Sequence, residues 1–226
     1  MKIKSWRSIA IACGFALGLM TPVSVALADS NPHVISPNDT VFGYKYSQWS
    51  AQWWQFVLSI PADVNPLTDE SGSLCVVGQH GPVWFLMGAF GGTLTRTCSI
   101  PEGKTLFFPV LNLVDINVAH QTANELRAEI APCMDAVSKL SVAIDGDNVP
   151  KLQERYRVQS EVFEAAIPDG GFLDPGIYSP AVDDGYYVML EPLKVGKHTL
   201  HIVGESGCGF GVDVTYRLTV VPVKLK

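Results

Sequence analysis

Val212-Asp-Val-Thr-Tyr-Arg-Leu-Thr-Val220 is the clearest strand signal in the sequence. Apolar residues occupy every second position of this stretch, and polar residues such as Asp213 and Arg217 lie between them. Because successive side chains of a β-strand point to opposite faces, the alternation predicts a strand with one buried and one solvated face.

Further strands are predicted on the N-terminal side of this stretch. Residues 83–87 and 106–111 are continuous apolar runs, typical of strands buried on both faces. Residues 142–149 indicate a hairpin, and 197–203 alternate again. Many short strands with few helices predict a mainly β fold, a β-sandwich of the immunoglobulin-like or jelly-roll-like kind.

The segment near 47–60 predicts an amphipathic helix that ends before Pro61. Trp49, Trp53 and Phe56 fall on one arc at 100° per residue, and glutamines occupy the opposite side. Ser47 is the expected N-cap. This N-terminal helix is expected to cover one sheet face or one end of the sandwich.

A short helical insertion is predicted near 122–138. Thr122 and Glu125 have the spacing of a capping box at its start, and Pro132 is expected to interrupt it. The domain prediction is therefore an extended leader at 29–45, followed by a single β-sandwich domain at 46–226.

Residues 1–28 have the pattern of a secretory signal peptide. A positively charged start is followed by an apolar run and by small residues that end at Ala28. The run is too short to span a bilayer, and no later segment replaces it, so no transmembrane segment is expected after signal removal. The predicted localisation is periplasmic or secreted.

The charge of the chain argues against a nucleic-acid partner. The formal net charge is −6, and loss of Lys2, Lys4 and Arg7 with the signal peptide makes the remainder more acidic. An acidic surface repels phosphate backbones.

Four cysteines remain once Cys13 leaves with the signal peptide. An even number in an oxidising compartment predicts two disulfides, for which three pairings are possible. We favour Cys75 with Cys98 and Cys133 with Cys208, because the first pair brackets a glycine-rich segment that reads as strand, turn and strand. A metal site built from these thiolates is the alternative, but the sequence has no C-x-x-C spacing.

Three stretches together resemble a family of uncharacterised secreted proteins from bacteria and archaea. They are Trp49-x-x-x-Trp53-Trp54-Gln55-Phe56 with Ser59-Ile60-Pro61, then Gly78-Gln-His-Gly-Pro-Val-Trp-Phe-Leu86, then Tyr156-Arg-Val-Gln-Ser160. The resemblance covers most of the mature chain. It implies secretion and a similar fold, and it assigns no activity and no catalytic residues.

The candidate catalytic residues are His80, Asp115 and His120. His80 lies in a glycine-flanked loop, where a histidine can act as a general base or a ligand, or can be a simple turn residue. Asp115 and His120 follow an apolar strand, a position that suits acid–base chemistry, a cation site or a solvated helix N-terminus. They carry the enzyme hypothesis only if all three converge in one cleft.

The candidate binding residues are Trp54, Tyr187 and His201. Trp54 lies off the main apolar stripe of its helix and is expected to be an exposed contact, whereas Trp49 and Trp53 are expected in the core. Tyr187 belongs to the same aromatic set, and His201 occupies the polar face of its strand.

The sequence contains an acidic dipeptide followed by glycine, but it lacks the common cofactor motifs. The segment 183–185, Asp-Asp-Gly, is typical of a turn and lacks the spacing of a calcium loop. No P-loop, dinucleotide or H-E-x-x-H motif is present, so we expect no cofactor and no metal.

The leading functional hypothesis is an exported, disulfide-stabilised binding or structural protein of the cell envelope or extracellular space. Its ligand would be a glycan or an apolar small molecule. The alternatives are a secreted hydrolase that uses the His and Asp residues above, and a metal-binding envelope protein.

Overall fold

The computed structural model describes residues 34–223. The predicted signal peptide, residues 1–28, lies outside this range. The described strands, in chain order, are β1 Val34–Ile35, β2 Val83–Phe85, β3 Gly92–Pro101, β4 Thr105–Ile116, β5 Val137–Ile144, β6 Asp147–Asn148, β7 Arg157–Gln159, β8 Phe163–Ile167, β9 Gly176–Leu190, β10 Gly196–Ser206 and β11 Gly211–Val221. The α-helices are α1 Tyr46–Leu58, α2 Ala123–Asp135 and α3 Leu152–Arg155, with a 3₁₀ turn at Ala62–Val64.

The strands form two sheets. The first has the order β1-β9-β4-β2, with β7 and β8 also paired to β9, and the second has the order β3-β11-β10-β5-β6. Strands β4 and β9 pair antiparallel, whereas β3 pairs with β11 and β2 pairs with β4 in parallel. The prediction of a mainly β, sandwich-like fold with few helices is confirmed.

Two apolar clusters explain why the central strands are apolar on both faces. One cluster joins the inner faces of the sheets and contains Val188 and Leu190 of β9. The other lies between α1 and the outer face of the first sheet, and it contains Tyr187 and Met189. Strand β9 is therefore buried on both sides, which requires apolar residues at consecutive positions.

Helix α1 covers the outer face of the first sheet. Its predicted core residues Trp49, Trp53 and Phe56 are all buried. The prediction that Ser47 is the N-cap is wrong, since the helix begins at Tyr46 and Lys45 is the N-cap residue. The Lys45 backbone N–H donates to Oε1 of Gln48 at 3.0 Å, the reciprocal contact of a capping box.

Helix α2 begins with the predicted capping box. The Thr122 backbone N–H donates to Glu125 Oε2 at 2.7 Å, and the Glu125 N–H donates to Thr122 Oγ1 at 3.4 Å. Pro132 lies within the helix, which continues to Asp135 instead of being interrupted. Leu126 of α2 packs against Val182 of β9.

Both predicted disulfides are confirmed. Cys75–Cys98 joins the segment before β2 to β3, with 5.9 Å between the Cα atoms. Cys133–Cys208 joins α2 to the turn between β10 and β11, with 5.5 Å between the Cα atoms. None of the helices within residues 34–223 is long and apolar enough to cross a membrane.

A β-bulge in β4 sets the position of the candidate site. The register between β4 and β9 shifts between Pro109 and Leu111, so Asn112 returns to the face that carries α1. Two glycines make room for the bulge. A Cβ on Gly204 of β10 would lie 2.7 Å from the Val110 carbonyl oxygen, and a Cβ on Gly185 of β9 would lie 2.5 Å from Asn112 Cβ.

Candidate functional site

An apolar pocket of about 220 Å³ opens beside α1. Its walls come from α1, from β4, from the loop after β2 and from the turn before β11. We call it the Trp54–Asn112 pocket, and its main lining side chains are Trp53, Trp54, Phe90, Asn112, Val114 and Phe210.

Asn112 is the single polar side chain among the lining residues of this pocket. The other walls are aromatic rings, aliphatic side chains and one glycine. Phe90 is 66 % exposed, and its ring lies 5.7 Å from that of Phe172. An exposed aromatic side chain beside a concave apolar surface is typical of a ligand site.

A chain of hydrogen bonds leads from the pocket wall into the protein interior. Asn112 Nδ2 donates to the Tyr187 hydroxyl at 2.8 Å. That hydroxyl donates to Asp183 Oδ1 at 2.7 Å, and Trp54 Nε1 donates to the same oxygen at 2.7 Å. We call these four residues the Asp183 network.

Asp183 is a buried acid with an unusual titration. Its side chain has no solvent exposure, and burial raises its pKa to about 7. Hydrogen bonds from Tyr187 and Trp54 act in the opposite direction, and the neighbouring charge of Asp184 raises the pKa further. Burial, with the nearby negative charge of Asp183, raises the pKa of Tyr187 well above its usual value, so this phenol stays protonated and donates.

Asp183 has a free oxygen inside the protein. Its Oδ2 is buried and has no hydrogen-bond partner within residues 34–223. A proton on Oδ2 leaves Oδ1 as the acceptor for Trp54 and Tyr187. The geometry therefore accommodates the neutral acid without rearrangement of the network.

Asp184 is also buried, but it points to the opposite face of β9 and is fully paired. Arg157 donates from Nε and Nη2 to its two carboxylate oxygens at 3.0 and 2.9 Å, and Gln159 donates at 3.0 Å. These hydrogen bonds, with a further one to Asp135, raise the pKa of Arg157. The expectation that 183–185 is a turn is wrong, because these residues lie within β9 and their side chains are buried by α1 and α2.

Arg96 holds the loops at one side of the pocket, a role that the sequence analysis missed. It is 1 % exposed, and Nη1 donates to the carbonyls of Met87 and Gly88 at 3.1 and 2.6 Å. Nη2 donates to the Leu67 carbonyl at 3.1 Å. Because Leu67 and Gly88 line the pocket, the guanidinium fixes the spacing of two of its walls.

The prediction that Trp54 is an exposed contact is wrong. The residue is 8 % exposed, because α1 packs against both β8 and β9 and this covers the flank of the helix as well as its apolar stripe. Its ring still lines the pocket, while its N–H is used by Asp183. Tyr187 has no exposed surface, so it supports Asn112 and does not itself reach the pocket surface.

His201 lies far from the other two predicted binding residues. Its neighbours Leu200 and Ile202 face the cluster between the sheets, so His201 points outward from the second sheet. Its side chain is 44 % exposed, and Nε2 lies 2.8 Å from Asp213 Oδ1. The three predicted binding residues therefore do not form one site.

The predicted catalytic residues do not converge either. His80 precedes β2, which pairs with β4 at Thr105, whereas Asp115 lies near the opposite end of β4. Ten residues of strand separate these ends by about 30 Å. The hypothesis of one cleft that contains His80, Asp115 and His120 is wrong.

Each of these three residues lies in different surroundings. The exposed His80 has Nδ1 2.8 Å from the Gly78 carbonyl oxygen, and it borders a separate open groove of about 340 Å³ beside Gln52 and Gln55. Burial and the nearby carboxyl of Glu129 raise the pKa of Asp115. His120 is exposed, in the turn before α2. Within residues 34–223, no group of three or more His, Cys, Asp or Glu side chains is arranged to hold a metal ion.

Comparisons with known proteins give no family. No family model matches the chain, and no curated protein matches it. The solved structures include one match, "Solution Structure of Amebosin", which is 13 % identical and covers 57 % of this chain and 96 % of that chain. Its TM-score of 0.22 is too low to support an inference about fold or function.

Proposed function

We propose that the chain is an exported binding protein of the cell envelope or extracellular space, and that it holds a small apolar molecule in the Trp54–Asn112 pocket. The observation that carries this proposal is a preformed concave site with aromatic walls and one fixed polar group. Such a composition is typical of small-molecule sites. The signal-peptide pattern and the two disulfides support export.

The lining chemistry favours an apolar ligand over a glycan. A sugar presents hydroxyl groups around its ring, and each one that is buried without a hydrogen bond lowers affinity. Asn112 alone offers a polar side chain in this pocket. An aromatic or aliphatic skeleton with few polar groups therefore fits better.

The two other hypotheses receive less support. The hydrolase hypothesis loses its acid–base set, since His80 and Asp115 lie at opposite ends of β4. The metal hypothesis has no cluster of suitable side chains among residues 34–223.

A fluorescence titration tests the proposal. N-phenyl-1-naphthylamine becomes fluorescent when it enters an apolar site, and we expect saturable binding to the mature protein with a Kd on the order of micromolar. Ala89 lines the pocket, so Ala89→Phe fills it and is expected to abolish the signal.

Ala119→Phe is the matched control, because Ala119 is exposed and does not line this pocket. It is expected to bind like the natural protein. Circular dichroism melts verify that both variants are folded. Equal binding by the two variants would place the probe elsewhere and refute the proposed site.

A further inference from the structure

We propose that the ligand of the Trp54–Asn112 pocket carries a hydrogen-bond donor, a hydroxyl or N–H group, which is accepted by Oδ1 of Asn112. This inference rests on the proposed function, and it specifies the chemical class of the ligand: an apolar skeleton with one donor.

The donor and acceptor roles in the Asp183 network fix the orientation of the Asn112 amide. An indole N–H can only donate, so Trp54 makes Asp183 Oδ1 an acceptor. The Tyr187 hydroxyl donates its single proton to the same Oδ1. Its oxygen must therefore accept from Asn112. Only Nδ2 of the amide can donate, so Nδ2 faces Tyr187 and Oδ1 faces away from it.

The backbone around Asn112 fixes the position of its side chain. Gly185 lies opposite Asn112 in the register, and the missing Cβ allows the two strands to approach. The bulge between Pro109 and Leu111 sets the face on which the side chain lies. The amide is thus held at both its backbone and its Nδ2 atom, whereas Oδ1 has no hydrogen-bond partner within residues 34–223.

The oriented acceptor makes the pocket selective. In the free protein, water can satisfy Oδ1, because Asn112 is only half-buried. A ligand that fills the pocket displaces that water, and Oδ1 is then left unpaired unless the ligand donates to it. A donor therefore gains about tenfold in affinity over an equally sized ligand without one.

Three related compounds separate the contribution of a donor group to affinity from that of the apolar skeleton and of an acceptor group. Naphthalene has no polar group, 1-methoxynaphthalene has an acceptor only, and 1-naphthol has a donor. Each competes with N-phenyl-1-naphthylamine for the mature protein. We expect 1-naphthol to displace the probe about tenfold more effectively than the other two compounds.

Two variants show whether Asn112 causes the preference for 1-naphthol. Asn112→Leu keeps a side chain of similar size and is expected to bind naphthalene at least as well as the natural protein, with the preference for 1-naphthol lost. In Tyr187→Phe the Nδ2 anchor is missing, so the amide can rotate and present its N–H groups to the pocket. We expect this variant to lose most of the discrimination between 1-naphthol and 1-methoxynaphthalene.

The outcomes distinguish the two proposals. If all three compounds compete equally, or if Asn112→Leu retains the preference for 1-naphthol, the inference about the donor is wrong while the apolar site stands. If neither the probe nor any of the three compounds binds, the proposed function fails and the inference falls with it.

Discussion

Trp54 and Asp183 are 129 positions apart in the sequence, and the indole Nε1 of the first donates to carboxyl Oδ1 of the second at 2.7 Å. Both side chains are buried. This contact attaches α1 to the central strand β9, while the ring of the same tryptophan forms a wall of the pocket. The contact therefore belongs both to the packing of the fold and to the candidate site.

Replacement of Asp183 by asparagine is expected to change how stability depends on pH. The carboxyl has a pKa near 3.8 when unfolded and about 7 when folded. Between these values the unfolded chain releases a proton that the folded protein retains, so the free energy of unfolding falls as the pH rises and levels off above pH 7. Asp183→Asn lacks this titration and should gain up to about 4 kcal/mol relative to the natural protein between pH 4 and pH 8.

Urea denaturation at a series of pH values measures this difference. Asp174→Asn, at an exposed position, is the control and should follow the natural protein. A stability difference for Asp183→Asn that does not vary with pH would show that the buried carboxyl has an ordinary pKa.

Truncation of Trp54 is expected to destabilise the protein as much as truncation of Trp53. Each tryptophan is less than 9 % exposed, and removal of a buried aromatic ring costs about 3–5 kcal/mol. Trp54→Phe keeps an aromatic ring but removes the N–H and part of the indole, and the lost hydrogen bond to Asp183 should contribute about 1–3 kcal/mol to its destabilisation. Chemical denaturation of Trp53→Ala, Trp54→Ala and Trp54→Phe provides the comparison. A Trp54→Ala variant as stable as the natural protein would mean that α1 does not pack as described.

Local pattern predicted the strands and the disulfides well. Strand β11 has one solvated face, so its alternation is visible in the sequence. Cys75 and Cys98 lie at the ends of a segment whose turns and strand signals are local, and that proximity favoured their pairing.

Contacts distant in sequence explain what was missed. The burial of Trp54 depends on β8 and β9, which follow it by more than a hundred residues. Asp183 and Asp184 have turn-forming chemistry, but burial by α1 on one face and α2 on the other overrides that local preference. The sequence does contain one indication that Arg96 is buried. It lies two residues before Cys98 and four before Ile100 on the same strand, so its side chain lies on their buried face.

Replacement of Arg96 by lysine is expected to weaken both stability and ligand binding. A lysine cannot reproduce the fork that reaches the carbonyls of Leu67, Met87 and Gly88, and each buried carbonyl left unpaired costs about 1–3 kcal/mol. Because Leu67 and Gly88 line the pocket, affinity for N-phenyl-1-naphthylamine should also fall. Arg217→Lys, at an exposed position on the adjacent strand, is the control for the same change. Equal melting temperatures for the two variants would contradict the proposed role of Arg96.

Insertion of a methyl group at Gly185 is expected to disturb Asn112 directly. The new Cβ of Gly185→Ala would lie 2.5 Å from Asn112 Cβ, 2.8 Å from its Cα and 2.9 Å from the Leu111 carbonyl oxygen. Two of these three atoms belong to the backbone, so a side-chain rotation cannot relieve the contact. Such overpacking costs about 1–3 kcal/mol.

The matched control is Gly176→Ala on the same strand, where the nearest atom to the new Cβ is a ring carbon of Tyr178 at 3.7 Å. Its stability should remain within about 0.5 kcal/mol of the natural protein. Urea denaturation measures the stabilities, and competition by 1-naphthol and naphthalene is then measured on the folded variants. A folded Gly185→Ala protein should discriminate less between these compounds, because the shift of Asn112 moves Oδ1 from its position, whereas Gly176→Ala should discriminate fully. If Gly185→Ala is as stable and as selective as Gly176→Ala, the close approach of β4 and β9 at Asn112 does not hold the amide in place.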